Sequence, residues 1–169
     1  MRIYLVRHGI ATDHVGGAIK NDCARPLTDT GRLETEAVVN GLKRLGVSAD
    51  VVFTSPLVRA RQTAEIIGQI LGAPLRTVDA LAPAGRSTDI FAALKEFAGS
   101  NDVFMVGHEP DVGRLVSSLL WAGPELVIPF KKSSVCRVDI TSVPPVEPGT
   151  LEWFITPKIA SLLDSGKKE

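Results

Sequence analysis

Short apolar, β-prone runs alternate along this chain with helical patterns ten or more residues long, and that alternation restricts the fold more than any other feature. The runs are residues 2–6 (RIYLV), 50–54 (DVVFT), the weaker 74–78 (PLRTV) and 102–107 (DVFMVG). Helical spacing fills the intervals. Thr28 suits the N-cap of a helix over 29–45, with Leu33, Ala37, Val38, Leu42 and Leu45 on one face and Gly46 as its stop. Ser55-Pro56 reads as the N-cap and first position of a second helix, with Ala60, Ala64, Ile67 and Leu71 at helical spacing. Residues 87–98 and 111–121 read as two more. Such alternation predicts βαβ units, and hence an α/β fold on a mostly parallel sheet. Beyond Glu125 the pattern changes. SSVCRVDI and TLEWFI, separated by SVPPVEPG, read as a closing pair of strands, antiparallel at the sheet edge. The 169 residues suit one domain over 1–160, followed by a C-terminal tail over 161–169 whose DSGKKE reads as frayed.

In an open α/β sheet, ligands bind beyond the carboxyl ends of the strands. The first run delivers Arg7-His8-Gly9 there. The second delivers Ser55-Pro56 and, at the start of its helix, Arg59; the fourth delivers Gly107-His108-Glu109. Two arginines and two histidines thus converge on one edge. A cation in the first turn opposes the helix dipole, at a cost of some tenths of a kcal/mol. A helix N-terminus bearing Arg59 is therefore suited to an anion, and a guanidinium grips phosphate or carboxylate in bidentate fashion. Taken singly, each residue has an ordinary reading: Arg7-His8-Gly9 is a short motif, His108 a turn histidine, Arg59 a solvated side chain. Agreement among three strand ends selects Arg7, His8, Arg59 and His108. Arg61 and His14 lack that support and read as solvated surface residues.

Composition narrows the chemistry further. Lys+Arg and Asp+Glu balance at 19 each, so no broad field favours nucleic acid or a membrane. The apolar run before Arg7, Ile3 to Val6, has only four residues, and no run approaches the ~20 needed to span a bilayer. Cys23 and Cys136 read as reduced, part-buried thiols of a cytoplasmic protein. A cysteine phosphatase needs Arg six positions after Cys, but Asp29 and Ser142 stand there. GLKRLGVS has the glycine spacing of a P-loop but Val47 in place of its lysine. No spacing suggests a metal site, so neither metal nor cofactor is expected.

LVRHG after the first strand, SPLVRARQTAE after the second and VGHEP after the fourth resemble the histidine phosphatase superfamily, related to phosphoglycerate mutases. RPLTDTG at 25–31, LAPAG at 81–85 and the terminal WFITPK resemble its SixA-type phosphohistidine phosphatases, so the resemblance runs from Arg2 to about Lys158. It implies a three-layer α/β/α sandwich, phosphoglycerate mutase-like, without a large cap insertion. It makes His8 the nucleophile that forms a transient phosphohistidine. Arg7 and Arg59 become clamps on the phosphoryl oxygens, His108 a further donor to them, and Arg25 a substrate contact. Neighbouring arginines would hold His8 neutral, and Gly9 would permit close approach of substrate or a positive φ.

Ester-cleaving relatives carry a glutamate after the third strand to protonate the leaving alkoxide. Here ALAPAG has no carboxylate. Imidazole leaves far more readily than alkoxide, so the resemblance implies hydrolysis of the P–N bond of a phosphohistidine-bearing protein. A histidine phosphotransfer domain or a carrier of the sugar phosphotransferase system is the expected partner. Glu109 and Asp13 are the residual acid candidates, each with a plainer reading in a turn or in solvent. The alternatives are a small-molecule phosphomonoesterase of the same superfamily and a phosphate-binding module without turnover.

Overall fold

Six strands form one sheet in the order β3-β2-β4-β1-β5-β6. The computed structural model describes residues 1–13, 21–123, 126 and 128–164; His14, read above as a solvated surface residue, lies outside them. The strands are β1 (Arg2–Arg7), β2 (Val51–Thr54), β3 (Leu75–Thr77), β4 (Asp102–Gly107), β5 (Val135–Asp139) and β6 (Thr150–Ile155). The helices are α1 (Asp29–Arg44), α2 (Val58–Leu71), α3 (Ser87–Lys95), α4 (Asp111–Leu119) and α5 (Pro157–Asp164). β1, β4, β2 and β3 pair in parallel, while β5 and β6 close the sheet antiparallel, as expected.

Strand side chains alternate between two faces, and both faces are covered. Ile3, Leu5, Val51, Phe53, Val103 and Met105 point toward α3 and α4, where Ile90, Leu94, Val112, Val116 and Leu119 meet them. Tyr4, Val6, Val52, Phe104 and Val106 point the other way, onto Val38, Val39 and Leu42 of α1, Ala60, Ala64 and Ile67 of α2, and Ala160 of α5. Burial on both faces explains why these strands read as continuous apolar runs. Asp102, 2% exposed, ties the starts of β1 and β4 together. It accepts from Arg2 (2.5 Å), the Tyr4 hydroxyl (3.0 Å) and Ser48 (2.7 Å).

The inward face of α1 differs from its apolar stripe. Leu33 and Leu45 are 66% and 52% exposed, whereas Gly31, Thr35, Val38, Val39, Gly41 and Leu42 are buried. Small residues mark the contact because the helix passes close to main chain. A Cβ on Gly31 would sit inside the carbonyl of Ile10, and one on Gly41 would lie 2.7 Å from the Ala160 carbonyl oxygen. Thr28 caps α1 as expected, accepting from Gly31 N at 2.9 Å. Ser55-Pro56 does not start α2. That helix begins at Val58 after Leu57, with no side-chain cap; the Ser55 hydroxyl accepts from Leu57 N (3.3 Å), just ahead of the helix, and meets His108. α3 and α4 stop at Lys95 and Leu119, short of 98 and 121. α5 carries helix past residue 160, where the tail was expected to begin. Cys136 is buried, its thiol pushed up to about 12 by burial, but Cys23 is exposed rather than part-buried. Among the described residues no helix is long and apolar enough to cross a membrane.

The close pass of α1 over Ile10 makes a test. Gly31→Ala is expected to lower stability by about 1–3 kcal/mol in urea unfolding, because main chain must move. Leu33→Ala, on the exposed face, is expected to stay within about 0.5 kcal/mol of the parent.

Candidate active site

Pairing register brings the strand ends level. Arg7 lies opposite Gly107, and Thr54 opposite Val106. The ladder continues one residue further: His8 N donates to the Gly107 carbonyl (3.1 Å) and Ser55 N to the Val106 carbonyl (3.1 Å). His8, His108, Ser55 and, from the first turn of α2, Arg59 are therefore neighbours, each no more than 4% exposed. The two imidazole centroids are 5.0 Å apart.

The His8 ring has a defined tautomer. Nδ1 lies 2.7 Å from the Gly9 carbonyl oxygen. A carbonyl only accepts, so Nδ1 carries the proton and Nε2 presents its lone pair. Into that lone pair point Arg59 Nε at 3.2 Å and Lys132 Nζ at 3.4 Å. Burial, Lys132, His108 and Arg59 together push the His8 pKa down to about 2, against the Gly9 contact. Burial outweighs each of these charges and Arg59 is the weakest of them, so the arginines are not the main reason that His8 is neutral. Gly9 does not have a positive φ. Its N donates to Thr63 Oγ1 (3.0 Å), and a Cβ there would meet Thr35 Oγ1 at 2.7 Å. The residue is glycine because α1 and Leu27 leave no room for a Cβ.

His108 is held by Nε2 at 2.9 Å from Ser55 Oγ, while its buried Nδ1 has no partner. Burial, then Arg59 and Lys132, lower its pKa to about 4. Arg7 donates to the Phe130 carbonyl (2.5 Å) and leaves its buried Nε unpartnered. Glu109 accepts from Phe130 N at 3.0 Å, which makes it a brace for the Arg7 site. Arg61 pairs with Glu65 on the exposed face of α2, as read.

Sequence reasoning missed two charged residues. Asp22, in a 3-10 turn (Asp22–Ala24), binds both Arg59 and Arg25. Its Oδ2 accepts from Arg59 Nη2 (3.0 Å), its carbonyl from Arg59 Nη1 (2.8 Å), and its Oδ1 from Arg25 Nε (2.8 Å). Burial opposes ionisation of this carboxyl, but the hydrogen bonds from Arg25 and Arg59 outweigh it and lower its pKa. Arg25 is thereby linked to Arg59 through a shared carboxylate, and it also reaches the Thr12 carbonyl (2.9 Å). The second missed residue, Lys132, is half-buried; burial, Arg7, Arg59 and Arg25 lower its pKa to about 8. Neither residue belongs to a helix or strand end that periodicity could flag. The RPL beside Asp22 was the one available signal.

Beside His108 lies a cavity of about 190 Å³, lined by Leu81, Gly85, Ser87 and Asp111 among others. Asp111 is its one acidic lining residue among the described residues, and both its oxygens accept hydrogen bonds, from Ala84 N (2.8 Å) and Arg114 (3.2 Å). Asp13 is exposed. Among the described residues no group of three His, Cys, Asp or Glu side chains is placed to hold a metal ion.

Residues 3–84 match the model of the histidine phosphatase superfamily, branch 1. Phosphohistidine phosphatase SixA of Escherichia coli strain K12 is 30% identical over 161 residues, which cover 93% of this chain and 94% of that protein. An uncharacterized protein of Picosynechococcus sp. is 36% identical over 138 residues, 80% of this chain and 82% of that one. The solved structure of the protein histidine phosphatase SixA complexed with tungstate matches with a TM-score of 0.81 at 31% identity, over 94% of this chain and 98% of the other. With that likeness covering more than nine-tenths of its length, the chain belongs to the histidine phosphatase superfamily.

Proposed function

We propose that this chain is a phosphohistidine phosphatase that cleaves the P–N bond of a phosphorylated protein through a phosphoryl group carried on His8. The observation that carries this reading is the single nucleophilic lone pair on His8 Nε2, set among Arg7, Arg59 and His108 with no free carboxylic acid beside it among the described residues. The likeness to SixA, whose solved complex holds the oxyanion tungstate, supports it.

In the first step the substrate's N–P bond breaks as P–Nε2 forms. The developing charge on the three phosphoryl oxygens falls to Arg7, Arg59 and His108. A phosphoimidazole protonated on its other nitrogen leaves as neutral imidazole, so no protein acid is required. In the second step water attacks phosphorus and P–Nε2 breaks, releasing inorganic phosphate. Here Nδ1–H on the Gly9 carbonyl keeps the phosphorylated His8 ring cationic, so it too leaves neutral. Fixed guanidinium charges fill the role that a metal ion has in other phosphoryl-transfer sites. A histidine phosphotransfer domain or a phosphotransferase-system carrier fits as substrate, since either presents a phosphohistidine. Two free thiols fit a cytoplasmic setting.

A phosphohistidine protein is expected to react with kcat/KM at least ~10²-fold above that for glycerol phosphate, the contribution of the missing general acid. The reverse ranking would favour a small-molecule phosphomonoesterase. His8→Ala is expected to abolish turnover while calorimetry still detects phosphate binding; turnover that survives would remove His8 from its role. Chelators are expected to leave the rate unchanged.

The buried imidazoles also set a pH dependence of stability. Unfolded, each takes up a proton near pH 6.5; folded, His8 does so only near 2 and His108 near 4. Below pH 6.5 the unfolded chain therefore holds more protons, and stability falls as pH falls. The slope is about 1.4 kcal/mol per pH unit for each histidine. In denaturant unfolding between pH 6 and 4.5, His8→Gln is expected to flatten the profile by one such proton, and equal slopes would show that His8 titrates normally in the fold.

A further inference from the structure

Lys132 is in the site but has no part in the reaction just described. Its position is built rather than incidental. Ser133, the next residue, has a left-handed φ of 58° and donates its N to the carbonyls of Arg7 (3.1 Å) and His8 (3.4 Å). The Ser133 hydroxyl meets Thr35 Oγ1 at 3.2 Å, and Ser134 N returns to the Lys131 carbonyl at 3.1 Å. A serine rarely adopts that backbone conformation without compensating contacts. Here the contacts bind the segment to the end of β1, so Lys132 is fixed relative to the histidine it faces. Lys131, one residue earlier, is exposed.

Its charge environment is equally specific. The cations acting most strongly on it are Arg7, Arg59 and Arg25, and Asp22, the anion that offsets them, is already engaged by two of those arginines. His8 contributes a neutral ring. No carboxylate lies within ion-pair distance of Lys132 Nζ among the described residues; the ammonium instead donates toward His8 Nε2 at 3.4 Å. A half-buried ammonium among guanidinium groups is unfavourable unless an anion joins it.

We infer that Lys132 is a further phosphoryl-binding residue, whose ammonium passes from the lone pair of His8 Nε2 to an oxygen of the phosphoryl group that this nitrogen receives. The inference rests on the proposed role of His8. Once phosphorus occupies the lone pair, that hydrogen bond is lost and the nearest acceptors are the phosphoryl oxygens. Lysine suits this exchange, because its three donors rotate about a single point charge.

Tungstate and inorganic phosphate serve as probes on the full chain. Lys132→Met is expected to weaken tungstate binding by about 10- to 100-fold, the loss of one charge-assisted hydrogen bond. Its melting temperature without oxyanion is expected not to fall, since a cation leaves a cationic cluster, while the rise produced by tungstate shrinks. Lys132→Arg, which keeps the charge, is expected to retain most of the affinity. Unchanged tungstate affinity in Lys132→Met would overturn the inference, as would a lowered melting temperature with an intact tungstate-induced rise. On the parent protein, NMR of the lysine ε-carbon is expected to show Lys132 titrating at higher pH with tungstate bound; an unmoved titration would also overturn the inference, even if the variants failed to fold. Labelling with radioactive phosphoramidate separates the two readings. If tungstate binding depends on Lys132 but no label reaches His8, the nucleophile assignment fails and the lysine stands as an oxyanion ligand.

Discussion

Parallel pairing of β1 with β4, and of β4 with β2, is the constraint from which the site follows. Three strands that run the same way and end at the same level must deliver their next residues to one edge. The ladder enforces that level beyond the strands themselves, through His8 N on Gly107 and Ser55 N on Val106. At the opposite edge Asp102 gathers Arg2, Tyr4 and Ser48, which fixes the same register from below. A slip of one residue would turn Tyr4 and Val6 toward the wrong helices and carry His8 away from His108. Core packing and site geometry are therefore one requirement.

Stability and binding pull against each other at that edge. Arg7, Arg25, Arg59 and Lys132 gather around two neutral imidazoles, and burial is the largest influence on both histidines and on the lysine. Asp22 and Glu109 relieve part of the repulsion in different ways. Asp22 bridges Arg25 and Arg59 directly, while Glu109 braces the Phe130 main chain that receives Arg7. The polar atoms left over, Arg7 Nε and His108 Nδ1, are buried without partners. Buried polar atoms without partners cost stability, and under the proposed function the free Arg7 Nε–H is a donor that an incoming anion would satisfy.

Much of this was legible before any coordinates. Arg7, His8, Arg59 and His108 follow strand-like runs, and the topology of an α/β sheet converts sequence position into spatial neighbourhood. Lys132 and Asp22 escaped because they lie in loops, where only three-dimensional contacts such as the Ser133 anchor give a position meaning. The inward face of α1 was misread for a related reason. Apolar periodicity weights Leu33 and Leu45, yet close approach to Ile10 and Ala160 selects glycine and threonine, which hydropathy scarcely registers. Ser55 has the composition of a helix cap but accepts from Leu57 N before the helix starts and also meets His108, so its local bond forms a turn and its hydroxyl serves the site.

Chemical symmetry explains why so spare a site suffices for the proposed reaction. Donor and acceptor in the first step are both imidazole nitrogens, so the transfer exchanges one P–N bond for another of similar energy. Neither side needs a strong acid, and the barrier is set by bringing the two nitrogens in line and neutralising the oxygens between them. An ester substrate breaks that symmetry, because an alkoxide must be expelled against a much weaker leaving tendency. Asp111, the acidic residue beside His108, accepts hydrogen bonds on both oxygens and is poorly placed to donate a proton. In the proposed cycle the Gly9 carbonyl that orients His8 for attack would also hold its proton as the phosphoryl group departs, so one hydrogen bond of 2.7 Å would serve both halves.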